Sequence, residues 1–220
     1  AARWGGADLL DIACDPELVR LAKKVSGLPI CVSSVQPELF PSALEAGATM
    51  FEIGNFDSFY PKGRFFSAEE VLELTTHSRK ILPDGILSVT VPHVLPLDQQ
   101  AQLALDLVHA GADIIQTEGG TSARPMSQGT LVLIEKAAPT LAATLTIAKA
   151  LRKSNLYTPV LSASGLSSST IPMAISVGAS GIGVGSAVNK LNDELAMVAA
   201  VKRLRDSITE IVFQDLSHIA

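Results

Sequence analysis

The chain has 220 residues, 47% hydrophobic and 18% charged, with a formal net charge of −5 at pH 7. That balance excludes a disordered chain, and with no basic cluster longer than two adjacent residues it leaves no nucleic-acid surface to expect. The most apolar run, residues 131–151, carries Glu135, Lys136 and Lys149, which argues against membrane insertion.

A mean hydropathy of +0.33 without a spanning segment fits strands buried on both faces, as in a parallel sheet covered by helices. The length suits one domain over residues 1–220. Residues 1–5 read as the end of a helix. Strands are expected at 7–13, 28–34, 49–55, 86–92, 113–118, 158–164 and 180–185, with every interval long enough for a crossover helix. Asp15-Pro16 and Ser67-Ala68-Glu69-Glu70 mark helix starts, and Pro37 and Pro172 suit first turns. Gly6, Gly47, Gly111 and Gly178 stand where helices close.

The strand entries alternate strictly. Gly-Ala precedes the first, third, fifth and seventh, and Pro29, Pro83 and Pro159 introduce the others. This two-step rhythm predicts an α/β fold of the (β/α)8 TIM-barrel type, with an opening strand expected upstream of Ala1. A helix near 189–213 could close such a barrel or form a dimer contact.

In a barrel, alternate strand residues face inward and chemistry gathers at the carboxyl ends of the strands. A period of two groups Glu52 with Gly54, Ser88 with Thr90, Gln116 with Glu118, and Ser162 with Ser164. On that register Asp11, Glu52 and Glu118 converge at the mouth with Ser33, Thr90 and Gln116. Buried carboxylates are costly, so they serve either as mutually hydrogen-bonded braces or as acid/base groups or ligands of a cation. His93, just past a strand, is a candidate proton shuttle; His77, His109 and His218 fall on helices. No strand carries a lysine, which disfavours Schiff-base chemistry from a strand. Cys14 and Cys31 are too few for a disulfide framework or a zinc site, and a reducing compartment suits them.

The last two strands carry an anion signature. Ser164-Gly165 ends one and Gly181-Ile182-Gly183-Val184-Gly185-Ser186 forms the next, where barrels commonly hold a phosphate. Ser164, Gly165, Gly185 and Ser186 are the candidate phosphate contacts, with Gln116 and Thr90 lining the substrate side; tight strand–helix packing would select the same glycines. Loops 55–67 and 119–129 look like ligand walls, with Lys62, Arg64 and Arg124 able to meet an anion.

These residues closely resemble the chloroplast open-reading-frame twenty-three family. The resemblance rests on Ala7-Asp8-Leu9-Leu10-Asp11-Ile12-Ala13, on Gly54-Asn55-Phe56-Asp57-Ser58-Phe59-Tyr60, on Glu118-Gly119-Gly120-Thr121-Ser122 and on Ser88-Val89-Thr90-Val91-Pro92-His93. It implies a β/α barrel, a plastid stroma or cyanobacterial cytoplasm, and no transferable catalytic residues. Glu52-Ile53-Gly54 also resembles the strand-end glutamate motif of the tryptophan synthase alpha subunit, which implies an acid/base role for Glu52 alone. Three functions stand open at this point. The first is an enzyme on a phosphorylated small molecule, with Glu52, Glu118, Asp11 and His93 as proton-transfer groups. The second is an oxidoreductase holding FMN by its phosphate tail. The third is a non-catalytic ligand sensor or assembly subunit.

Overall fold

The computed structural model describes residues 1–121 and 123–217, with side chains described to residue 208. Ser122 and His218 lie outside the described residues. Among the described residues seven strands form one all-parallel sheet in sequential order: β1 (Leu10–Ala13), β2 (Ile30–Ser33), β3 (Met50–Ile53), β4 (Ile86–Val91), β5 (Ile114–Thr117), β6 (Val160–Ala163) and β7 (Gly181–Gly183). Each falls inside the span expected from the sequence, and β1 and β7 form the two edges.

The helices are α1 (Ala2–Gly5), α2 (Pro16–Ser26), α3 (Phe40–Ala46), α4 (Ala68–Ile81), α5 (Leu97–His109), α6 (Leu131–Lys153), α7 (Ile171–Ser176), α8 (Ser186–Asn189) and α9 (Glu194–Ser217). The start signals act as chemistry requires. Asp15 accepts from the Glu17 and Leu18 amides, and Ser67 from the Glu70 amide. Gly6 and Gly47 close α1 and α3 in the left-handed conformation.

The main core lies between the sheet and its helices. Val32, Phe51, Ile53, Leu87, Val89 and Ile115 meet Val19, Phe40, Val71, Leu107, Ile147 and Leu151 there. This outer face takes the apolar residues of each strand, so the intervening residues Asp11, Ser33, Glu52, Thr90 and Gln116 occupy the opposite, inner face. Helix α6 is long and apolar enough to cross a membrane by length and composition. In the fold it packs along α5, β5 and β6, burying Ala143, Thr144, Ile147, Ala148 and Leu151.

One register differs from expectation. Ser162 does not face the interior with Ser164; it is fully buried against α6, where Thr144 Oγ1 donates to its hydroxyl at 3.0 Å. Thr117 joins them, 3.0 Å from the same Thr144 oxygen. On β6 the inner positions fall to Leu161 and Ala163, whose side chains crowd Gly181 and Gly183 of β7.

Candidate functional site

Two polar groups are stacked at the carboxyl end of the strands. The lower is centred on Glu52, which is only 3% exposed. Its Oε1 accepts from Thr90 Oγ1 at 2.8 Å and from Gln116 Nε2 at 2.7 Å. Its Oε2 lies 2.9 Å from Ser33 Oγ, which also touches Asp11 Oδ1 at 2.7 Å. Adjacent parallel strands supply these groups in register, for Asp11 pairs with Cys31 and Ser33 with Glu52. Gly54 completes the fit, since a Cβ there would stand 2.0 Å from Glu52 Oε1 and 2.6 Å from Thr90 Oγ1. A cleft of about 300 Å³ opens beside Ser33 and Gly54, lined also by Ser34, Gln36, Asn55 and Ser58.

Burial pushes the Glu52 carboxyl up to about 8, helped by the negative charge of Asp11 and opposed by hydrogen bonds from Thr90 and Ser33. Desolvation raises Asp11 as well, against hydrogen bonds that lower it. Asp11 is open to water at the rim, so the larger rise belongs to Glu52. Burial, with both carboxylates beside it, also holds the Cys31 thiol far above its ordinary value.

The upper group is built from loops. Glu118, just past β5, accepts from Tyr60 Oη at 2.6 Å and from the His93 amide at 3.2 Å, and its Oε1 lies 3.0 Å from His93 Nδ1. His93 Nδ1 stands 3.7 Å from Asp57 Oδ1, and Tyr60 packs edge-on against the imidazole. Desolvation works to lower His93, but the Glu118 hydrogen bond and charge, with Asp57 behind, outweigh it and raise the imidazole. Ser164 Oγ donates to Asp57 Oδ2 at 3.2 Å and accepts from the Thr121 amide at 3.0 Å. Ser164 and Asn55 both hold left-handed backbone angles, φ 74° and 61°. Such angles are uncommon outside glycine; these contacts hold Ser164, and the Asn55 carbonyl accepts from the Ser58 amide and hydroxyl.

The sequence expectation that Asp11, Glu52 and Glu118 converge at the mouth therefore resolves into two groups, Asp11 with Glu52 and Glu118 with His93. Gln116 and Thr90 serve the first directly. Gly165 faces neither: a Cβ there would meet Gly120 Cα at 2.6 Å and the Lys136 carbonyl at 2.7 Å, so close packing of two loops accounts for it. Gly185 is different, with open space around it, and Ser186 beside it is exposed. Arg64 is paired with Glu70 and lies over the Phe66 ring, away from any anion role. His77 pairs with Glu38 on the surface.

Asp57 and Tyr60 were not among the residues singled out from sequence, because no strand period places a loop side chain. The Gly-Asn-Phe-Asp-Ser-Phe-Tyr string was the available signal. Donor atoms of Asp57, His93 and Glu118 lie within 4.8 Å of one another, as do those of Asp11, Cys31 and Glu52. In the second trio the protonated thiol makes a poor cation ligand. In the first, His93 and Glu118 are spent on each other, and Asp57 Oδ1 is a buried oxygen with no hydrogen-bond partner among the described residues.

The family described as a protein of unknown function, DUF561, matches residues 1–213. The ycf23 protein of Cyanophora paradoxa is 44% identical over 213 residues, covering 94% of this chain and 84% of that protein. The ycf23 protein of Pyropia yezoensis is 37% identical over 220 residues, covering 99% and 79%. Relatives of this name are in keeping with the chloroplast setting expected from the sequence. Among solved structures, thiamine phosphate pyrophosphorylase from Pyrococcus furiosus aligns with a TM-score of 0.61 at 16% identity, covering 96% of this chain and 87% of that one. A 3-hexulose-6-phosphate synthase aligns with a TM-score of 0.59 at 16% identity, covering 91% and 87%. At that identity the likeness establishes the TIM-barrel type of fold.

Proposed function

The chain belongs to the DUF561 family and is a relative of the ycf23 proteins, and on that footing we propose that it binds a small phosphorylated metabolite and moves a proton on it with Glu52. The observation that carries this reading is a buried carboxyl pushed up to about 8 beside an open polar cleft. Near neutral pH such a group is an acid with a proton to give, and general acids work best when their pKa lies close to the working pH. Thr90 and Gln116 fix its orientation from the carbonyl side. The hydroxyls and amides of the cleft, set beside Val35 and Phe59, suit the uncharged, hydroxylated part of a ligand.

The phosphate end of the ligand is assigned to Ser164, Gly185 and Ser186, where the backbone at Gly185 is unobstructed. His93, Glu118, Tyr60 and Asp57 form the wall that adjoins Ser164 through Asp57 and, as a hydrogen-bonded group, keep the loops after β3, β4 and β5 in register. Phosphate compounds also stand in the names of the aligned synthase and pyrophosphorylase, which adds support for the ligand class.

Thermal melting against a panel of phosphorylated sugars, phosphorylated acids and inorganic phosphate tests the proposal. A ligand at 100 times its dissociation constant adds about 2.7 kcal/mol. Stabilisation by a phosphorylated compound and not by its dephosphorylated form is the expected result. A panel in which no phosphorylated compound raises the melting temperature overturns the reading.

A further inference from the structure

Ser33 Oγ touches two carboxyl groups at once, Asp11 Oδ1 at 2.7 Å and Glu52 Oε2 at 2.9 Å. A serine hydroxyl has one hydrogen and donates to only one of them, and an ionised carboxylate only accepts. With both acids ionised, one of these two contacts would join oxygen to oxygen with no hydrogen between. The arrangement therefore needs a second hydrogen, and only a carboxyl can carry it.

The remaining contacts say which. Glu52 Oε1 accepts from Thr90 Oγ1 and Gln116 Nε2, so it is the carbonyl-like oxygen. Gln116 Nε2 also lies 3.1 Å from Thr90 Oγ1, which accepts from it while donating to Glu52. Glu52 Oε2 faces the Ser33 hydroxyl at 2.9 Å and the Asp11 carboxyl, and because Glu52 is buried where Asp11 is exposed, it is Glu52 that bears the hydrogen and donates to Ser33 Oγ. Ser33 in turn donates to Asp11, which is open to water.

We infer that Asp11, Ser33 and Glu52 form a proton relay, in which two carboxyls hold one hydrogen between them and Ser33 passes it between buried Glu52 and water-exposed Asp11. The step balances. When Glu52 has given up its hydrogen, Asp11 takes a proton from water and donates it to Ser33 Oγ. The Ser33 O–H bond breaks as a new O–H bond forms on Glu52 Oε2. One proton enters from solvent for each one delivered, and the charge of the pair is restored.

The other groups facing the relay do not compensate it. Cys31 on β2 is a neutral thiol, Thr90 on β4 and Gln116 on β5 are uncharged, and Gly54 follows on β3. Among the described residues no lysine, arginine or histidine bonds either carboxyl. The role of Glu52 as proton donor to a ligand rests on the proposed function, but the hydrogen count does not.

Infrared spectroscopy of the whole protein tests it without a substrate. A protonated carboxyl has a C=O stretch separate from that of carboxylate, and one such band should persist at pH 7. Glu52→Gln should remove it. Ser33→Ala should move it to higher frequency, because the acid hydrogen loses its acceptor, whereas Ser33→Thr should leave it in place. Asp11→Asn should lower the pH midpoint of the band by about one unit or more, by removing the neighbouring negative charge. This last variant decides the matter if Glu52→Gln does not give a native near-ultraviolet circular dichroism spectrum. No protonated band at pH 7 in the wild type, or a band indifferent to both Ser33→Ala and Asp11→Asn, overturns the relay. An empty result from the phosphate panel would leave the band untouched, so the two failures are told apart.

Discussion

The Tyr60 hydroxyl donates to Glu118 Oε1 at 2.6 Å, joining a loop after β3 to the end of β5 across 58 positions of sequence. It is the shortest polar contact of the upper group at the mouth, and it carries the aromatic loop onto His93. Tyr60→Phe keeps the ring packed against His93 and Phe65 but deletes the donor. A hydrogen bond to a charged acceptor contributes about 1.5–3 kcal/mol, and partial exposure of Tyr60 puts the expected loss at the low end. Equilibrium urea unfolding at pH 7 should show a lower midpoint at unchanged slope. An unchanged midpoint would mean that the loop is held by its aromatic packing alone.

The raised acids and the raised histidine give a pH dependence of definite sign. Glu52 stands at about 8 in the folded chain against an ordinary 4.5. Between those values the folded state retains a proton that the unfolded chain has released, so stability falls as pH rises through the window. His93, raised above 6.5 in the folded state, acts in the same direction: its contribution is complete below 6.5 and is lost as pH climbs through the folded value. Each fully linked proton accounts for about 1.4 kcal/mol per pH unit. Glu52→Gln keeps the shape and the hydrogen toward Ser33 but cannot ionise. Its stability relative to wild type should therefore rise steadily from pH 5 to pH 8, measured by urea midpoints. A difference that stays flat over that range would contradict the burial argument for Glu52.

Gly165 and Gly185 look alike in the sequence and separate in the structure. A methyl at Gly165 runs into the Gly120 backbone and the Lys136 carbonyl, and its φ of +75° is unfavourable for any other residue. Gly165→Ala should cost about 2 kcal/mol or more and loosen the pairing of the loops after β5 and β6. At Gly185 the space is open and φ is −113°, so Gly185→Ala should leave the melting temperature within a degree or two. Under the phosphate proposal it should still weaken stabilisation by the phosphorylated compound. Equal thermal penalties for the two variants would remove the distinction.

The same contrast shows where sequence reading reaches and where it stops. The seven strands, their order and the capped starts of α2 and α4 were legible, because hydrophobic runs and cap chemistry are local. The inward set Asp11, Ser33, Glu52, Thr90 and Gln116 was legible too, since a period of two fixes a face once the neighbouring positions are apolar. Ser162 was not. In Val160-Leu161-Ser162-Ala163 either face reads as acceptable, and the serine turned outward because Thr144 on α6, itself bonded to Thr117 on β5, offered it a partner. Gly165 is ambiguous in the sequence for a related reason, since anion cradles and close backbone packing select the same residue. The Asp57–His93–Glu118–Tyr60 group joins loops far apart in sequence, and nothing periodic announces such a meeting.

The buried hydroxyl chain behind the sheet tests that outward register. Thr144 Oγ1 is shared among the Thr140 carbonyl, Ser162 Oγ and Thr117 Oγ1, all within 3.0 Å. Thr144→Val preserves the shape but strips the centre from the chain, leaving Ser162 Oγ without a hydrogen-bond partner among the described residues and Thr117 with only a 3.4 Å contact to the Leu161 carbonyl. Unsatisfied buried hydroxyls cost about 1–3 kcal/mol, so a loss of about 2 kcal/mol is expected in urea unfolding. The double change Thr144→Val with Ser162→Ala removes donor and acceptor together, and it should recover part of that loss. If instead Ser162 pointed to the interior, the second substitution would add its own penalty and no recovery would appear.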